Sequence, residues 1–209
     1  MQIDKDTLLY GSFAYKAGST GCLFHNAGFK KHNINAIYKS FSVKNIEEAV
    51  RCMRVLDIKG AGITMPFKTE VIRYIDEVDQ EARDINACNT LLNDNGKIKG
   101  YNTDVMSALD YLKPLGIKQL IVLGGGGYAK AVIRASRKLN IDVKRIVRDN
   151  WHELKDIRNH TVFNCTPVEN ITLDESNNFI DCLVSTKTGK ILADTQAKYQ
   201  FKIYTGVNY

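Results

Sequence analysis

Apolar and polar positions along this chain follow two rhythms, and the switches between them outline its elements. Residues 8–14 form a short apolar run that predicts a first strand, followed by a glycine-bearing loop through Gly21. Residues 22–33 follow helical spacing, with Leu23, Phe24, Ala27 and Phe29 assigned to one side. Residues 36–41 predict a strand. Residues 46–56 give the clearest helix: Ile46, Ala49, Val50 and Met53 recur at three- and four-residue intervals, while Arg51 and Arg54 face away. A short strand over 61–65 and the start of a helix over 70–75 come next. Two extended runs, 88–92 and 97–101, flank Asn93-Asp94-Asn95-Gly96, which is a hairpin signal. Residues 104–112 read as a helix, and Pro114 and Gly116 then punctuate the chain.

The second half changes pattern. Residues 119–123 are a continuous apolar strand, 124–127 a glycine turn, and 128–139 a helix carrying Ala129, Val132, Ile133 and Ala135. Strands follow over 143–147 and 161–165, and 192–204 reads as a closing helix. Strand, glycine turn, helix, strand is a βαβ unit of the dinucleotide-binding kind. The chain is therefore read as α/β with two domains that meet near residues 104–116.

Composition adjusts this picture only slightly. The 209 residues, 44% of them hydrophobic, suffice for one large or two small domains. The formal charge of +6 invites a nucleic-acid reading. However, the basic residues are scattered, their longest run is Lys30-Lys31-His32, and no nucleic-acid signature accompanies them. A basic surface that attracts a carboxylate- or phosphate-bearing small molecule fits equally well. The five cysteines form no C-x-x-C pair, and the N-terminus carries no long apolar segment. No stretch approaches the roughly 20 apolar residues of a spanning helix. These features predict reduced thiols, a cytoplasmic location and no membrane partner.

The candidate chemistry begins at residues 62–68, GITMPFK. Pro66 fixes φ, removes a donor and pushes Met65 toward extended geometry. The expected result is a strand that ends abruptly and presents Lys68. In the glycine turn, LGGGGYAKA, Gly124, Gly126 and Gly127 give G-x-G-G rather than the strict G-x-G-x-x-G. Such a turn lets the backbone approach a pyrophosphate at the helix N-terminus, and a ligand-free tight turn is the plainer alternative. After the second strand, an arginine favours a 2′-phosphate and an acid favours a 2′-hydroxyl. This chain has Arg148 followed by Asp149, and the reading favours NADP, with NAD as the alternative. Asn89 and Thr90 in ACNTLL, and Asn102, Thr103 and Asp104 in GYNTDV, each have a capping explanation alone. Together with Lys68 they make a set suited to holding a polyhydroxylated acid and moving one proton.

In this order the segments GITMPFK, ACNTLL, GYNTDV, LGGGGYAKA, NCTP (164–167) and TQAKYQF (195–201) resemble the shikimate dehydrogenase family, which includes quinate dehydrogenases. The resemblance implies NADPH-dependent reduction of 3-dehydroshikimate to shikimate, or the related quinate reaction, in aromatic amino-acid biosynthesis. It implies that Lys68 is the catalytic lysine and Asp104 its partner. Thr64, Asn89 and Gln196 fall on substrate ligands, and Ser19 on the first serine of an S-x-S pair whose second position is Gly21 here. Gly124, Gly126, Gly127, Tyr128, Arg148 and Thr166 make up the cofactor-binding set. No metal is implied.

The family fold implies a substrate domain over 1–104, completed by the C-terminal helix over 190–209, and a Rossmann-like domain over 105–189. The partner expected is a small molecule, with a monomer or homodimer as the assembly. The chain also departs from the family. Val168, Glu169 and Asn170 replace a usual Gly-Met pair after NCTP, Val184 stands where a tyrosine is usual, and the nucleotide domain reads as shortened. The alternative function is therefore a shikimate-like ligand-binding or regulatory protein with little dehydrogenase activity. Another two-domain dehydrogenase, of the methylenetetrahydrofolate type, would leave the NTD motif unexplained.

Overall fold

The computed structural model describes residues 3–209 and divides into two compact units. One comprises the residues up to Thr103 together with Ala197–Tyr209; the other is Asp104–Gln196.

The first unit is built on a six-stranded sheet. Its strands are β1 (Leu8–Ala14), β2 (Ala36–Ser42), β3 (Gly60–Ile63), β4 (Glu77–Val78), β5 (Thr90–Asp94) and β6 (Lys97–Tyr101), in the order β2-β1-β3-β5-β6-β4. β1 pairs in parallel with β2 and β3, and β5 runs antiparallel to both β3 and β6. The β5–β6 hairpin closes on Asn95 and Gly96, both at positive φ, as a two-residue primed turn requires. The unit's helices are α1 (Thr20–Lys31), α2 (Ile46–Val55) and α3 (Gln80–Ile85), together with the C-terminal part of α6 (Lys187–Thr205).

Side chains alternate across a strand, so this sheet supports two cores. On one face Phe13, Ala61, Ile63, Leu91 and Ile98 pack with Ile46, Val50 and Met53 of α2. The predicted apolar face of α2 is thus the buried one, and Asn45 caps the helix by accepting from the Glu47 and Glu48 N–H groups. Arg54 does not face solvent as its spacing predicted. Its guanidinium donates to the carbonyls of Gly96 and Tyr74 and pairs with Asp76 at 2.9 Å, tying α2 to the hairpin turn.

On the other face Tyr10, Ala36 and Tyr38 pack with Phe29 of α1 and with Phe201 and Tyr204 of α6. Here the helix face differs from expectation: α1 buries His25, Gly28 and Phe29, while Leu23 is 74% exposed. Close approach explains the choice. A Cβ on Gly28 would lie 2.5 Å from the Phe201 ring and 2.7 Å from Tyr209, so only glycine lets those rings reach α1. Asn26 locks the helix to β2 by donating to the Tyr38 carbonyl and accepting from the Tyr38 N–H.

The second unit carries a four-stranded parallel sheet made of β7 (Gln119–Leu123), β8 (Asp142–Ile146), β9 (Thr161–Asn164) and β10 (Asn178–Asp181). The order is β10-β9-β7-β8, with α5 (Gly127–Lys138) crossing from β7 to β8. A 3-10 segment, Arg148–Asp156, links β8 to β9, and no helix lies between β9 and β10. α4 (Thr103–Leu112) opens this unit, and Ser107 donates to the Leu192 carbonyl of α6 at 2.8 Å. No helix among the described residues is long and apolar enough to cross a membrane.

Candidate active site

Strand direction gathers the polar residues of the first unit. β1 and β3 end, β5 begins and β6 ends at the same edge of the sheet, as the registers Ser12↔Gly62, Gly62↔Thr90 and Thr90↔Tyr101 require. Ser19 follows β1, Thr64 and Lys68 follow β3, Asn89 precedes β5 and Thr103 follows β6. The structure therefore brings Ser19, Gly21, Thr64, Lys68 and Asn89 to one end of one sheet.

Lys68 is not delivered by a strand end. β3 stops at Ile63, Met65–Pro66 is a cis peptide, and Lys68 lies in the turn beyond. Two ties fix that turn: Phe67 is buried in the core below, and the Lys68 carbonyl accepts from the Cys88 N–H at 2.7 Å. Burial pushes the Cys88 thiol up to about 12, so it stays protonated, and it donates to the Thr90 carbonyl.

Asn89 sits at the centre of a buried network. Its Oδ1 accepts from the Thr103 N–H at 2.8 Å and from the Thr90 hydroxyl at 2.8 Å, and its Nδ2 donates to Thr103 Oγ1 at 3.0 Å. Asn102 donates to the Ala87 carbonyl, which fixes the other side of the same segment. The helix α4 starts at Thr103, so Asp104 stands in its first turn rather than at the cap. The positive end of the helix favours a carboxylate there, and Asp104 is 3% exposed.

Ser19 precedes α1 and is exposed, with no side-chain capping bond. At Gly21 the space beside the missing side chain is taken by Tyr38, because a Cβ there would meet the Tyr38 ring at 3.2 Å and its hydroxyl at 3.4 Å. The Tyr38 phenol also lies against Gly62, and burial raises it out of the titrating range. Sequence reading missed Tyr38, which looks like an ordinary strand residue. It missed Gln200 too, which reads as a polar helix position one turn after Gln196. Gln196 itself is half-buried and, like Asp104, belongs to the second unit.

In the second unit, β8 and β9 flank β7 on opposite sides, so β7 is the topological switch point of the sheet. Gly124 follows β7 with φ +111°, and a Cβ there would lie 2.9 Å from the Thr166 methyl. Glycine is needed both for this backbone angle and for this approach. Thr166 is held by Asn164, whose Oδ1 accepts from its N–H at 2.9 Å and its hydroxyl at 2.7 Å. Gly126 stands at the N-cap of α5 in extended geometry and makes no side-chain capping bond. Arg148 is exposed just beyond β8. Tyr128 turns its ring onto Phe163, and burial with the nearby Asp104 carboxylate pushes its phenol far up.

The two units define an α/β protein whose second half has the Rossmann pattern. The family model described as the shikimate dehydrogenase substrate binding domain matches residues 17–91. The chain is 35% identical over 151 residues to a shikimate dehydrogenase-like protein of Haemophilus influenzae, covering 71% of this chain and 56% of that protein. It is 35% identical over 199 residues to the shikimate dehydrogenase (NADP(+)) of Caldanaerobacter subterraneus subsp. tengcongensis, covering 89% of this chain and 70% of that one. Among solved structures, shikimate dehydrogenase from Aquifex aeolicus matches with a TM-score of 0.86 at 27% identity, over 100% of this chain and 96% of that one. The chain belongs to the shikimate dehydrogenase family. It spans little more than half the length of the Haemophilus relative.

Proposed function

We propose that this protein reduces 3-dehydroshikimate to shikimate with NADPH, with Lys68 as the acid and Asp104 as its partner. The observation that carries this reading is the gathering of Thr64, Lys68 and Asn89 at one sheet edge, with Asp104 next in the chain after Thr103. The similar Caldanaerobacter protein is named for NADP(+). The residues of the second unit suit that cofactor. Gly124 leaves space that a side chain would fill, the start of α5 offers backbone donors to phosphate, and Arg148 supplies charge for a 2′-phosphate.

When bound, NADPH supplies the hydride. The chain's own groups do the rest. Lys68 donates a proton to the carbonyl oxygen as the alcohol forms, or stabilises its developing charge. Asp104 orients the ammonium. Thr64, Asn89, Ser19 and Gln196 hold the hydroxyls and carboxylate. Tyr38 lies beside the position of the side chain missing at Gly21, and the same ring bears on whether quinate is accepted.

The test is the change in nicotinamide absorbance with shikimate or quinate and either NADP or NAD. Turnover with shikimate and NADP is expected, and in Arg148→Ala the KM for NADP should rise about tenfold or more, with little change for NAD. A second reading, a protein that binds a shikimate-like acid with little redox turnover, draws on the helix-free link between β9 and β10. No absorbance change with any pair, alongside shikimate binding by calorimetry, would replace the first reading with the second.

A further inference from the structure

Gln200 carries polar groups that the proposed chemistry does not use. It lies on α6 within the first unit, is 6% exposed, and shares its helix with Phe201 and Tyr204 of the aromatic cluster, its amide nitrogen and the Tyr38 phenol both lying beside Gly62. A side chain so polar is retained in such a place only when its hydrogen bonds are made.

Those bonds have one possible direction. The Asn89 carbonyl can only accept, and it takes the Ile63 N–H at 2.7 Å and Gln200 Nε2 at 3.1 Å. That assigns the amide nitrogen of Gln200 to this side, where it also donates to Thr90 Oγ1 at 3.0 Å. Thr90, having accepted, directs its own proton to Asn89 Oδ1 at 2.8 Å. The Thr103 N–H, which can only donate, meets the same Oδ1 at 2.8 Å. Oxygen and nitrogen of the Asn89 carboxamide are thereby distinguished, and rotation of the amide by half a turn would face donor to donor. The His25 ring, 1% exposed and stacked on Tyr38 at 4.5 Å, packs against Phe201 and Tyr204 of α6, and neither of its nitrogens makes a hydrogen bond among the described residues.

We propose that Gln200 is a positioning residue for substrate binding, setting the orientation of the Asn89 carboxamide through Thr90. This rests on the reading of Asn89 as a ligand of the substrate. The C-terminal helix thus contributes to the pocket without its glutamine touching the substrate.

Two variants keep volume while breaking the relay: Gln200→Met and Thr90→Val. Each should raise the KM for shikimate about tenfold, the worth of one lost hydrogen bond, with a smaller change in kcat and none in the KM for NADP. Because both break one relay, the double variant should match the worse single variant rather than multiply to a hundredfold. Multiplying effects, or a Gln200→Met enzyme with wild-type KM, would overturn the proposal. If the wild-type protein neither binds nor turns over shikimate, the functional reading fails instead. The relay is then read from the Asn89 side-chain amide protons by NMR, which should be slow to exchange in wild type and fast in Gln200→Met. Equal exchange in the two would refute the relay itself.

Discussion

Lys68→Met should lower kcat for shikimate oxidation by about 10²–10⁴-fold, the usual contribution of a positioned acid–base group. Methionine keeps the aliphatic stem and removes only the ammonium. The turn that carries the residue is anchored by the buried Phe67 ring and by the bond from the Cys88 N–H to the Lys68 carbonyl, both of which the substitution leaves in place. The variant should therefore melt like wild type and bind NADP with unchanged affinity. Asp104→Asn should lose kcat as well, since an amide keeps the size of the carboxylate but not its charge. Steady-state kinetics with calorimetric NADP binding separates these effects. Turnover within threefold of wild type in Lys68→Met would remove the lysine from the mechanism.

Much of this arrangement was legible in the sequence where local chemistry and tertiary structure agree. The Asn-Gly turn fixed the hairpin because only such residues accept two successive positive φ values, and the apolar stripe of α2 is the face that packs. What escaped was decided by packing. β10, Asn178–Asp181, is four residues long and half polar, so nothing in its pattern marks it; pairing with β9 makes it a strand. The residues over 70–75 show apolar spacing but form only a 3-10 turn, Glu70–Tyr74. The buried face of α1 was misassigned because Gly28 contributes contact by absence, which no hydrophobic count registers. Gln200 escaped for a related reason. The family resemblance drew attention to Gln196, and a second glutamine four positions on looks solvent-facing until its buried hydrogen bonds to Asn89 and Thr90 are seen.

His25 yields the second large effect, an acid sensitivity confined to a known window. Burial lowers this histidine from 6.5 to about 4, with the Gln200 side chain only partly opposing the shift. The titratable groups packed against it are the phenols of Tyr38 and Tyr204, both raised by burial and neutral throughout. No carboxylate is among these neighbours to share the proton. Between about pH 6.5 and pH 4 the unfolded chain binds a proton that the folded chain excludes. Stability from this group is therefore complete above about 6.5 and declines as pH falls toward 4, by about 3 kcal/mol in all. His25→Phe keeps an aromatic ring against Tyr38 and Phe201 and removes the titration. Urea unfolding at pH 7.5 and 4.5 should show wild type losing about 2–3 kcal/mol more than His25→Phe over that range, since the carboxylates common to both proteins cancel in the difference. Parallel pH profiles for the two proteins would mean that the ring is protonated without leaving its aromatic surroundings, and the neutral buried histidine would lose its place as the source of the acid sensitivity.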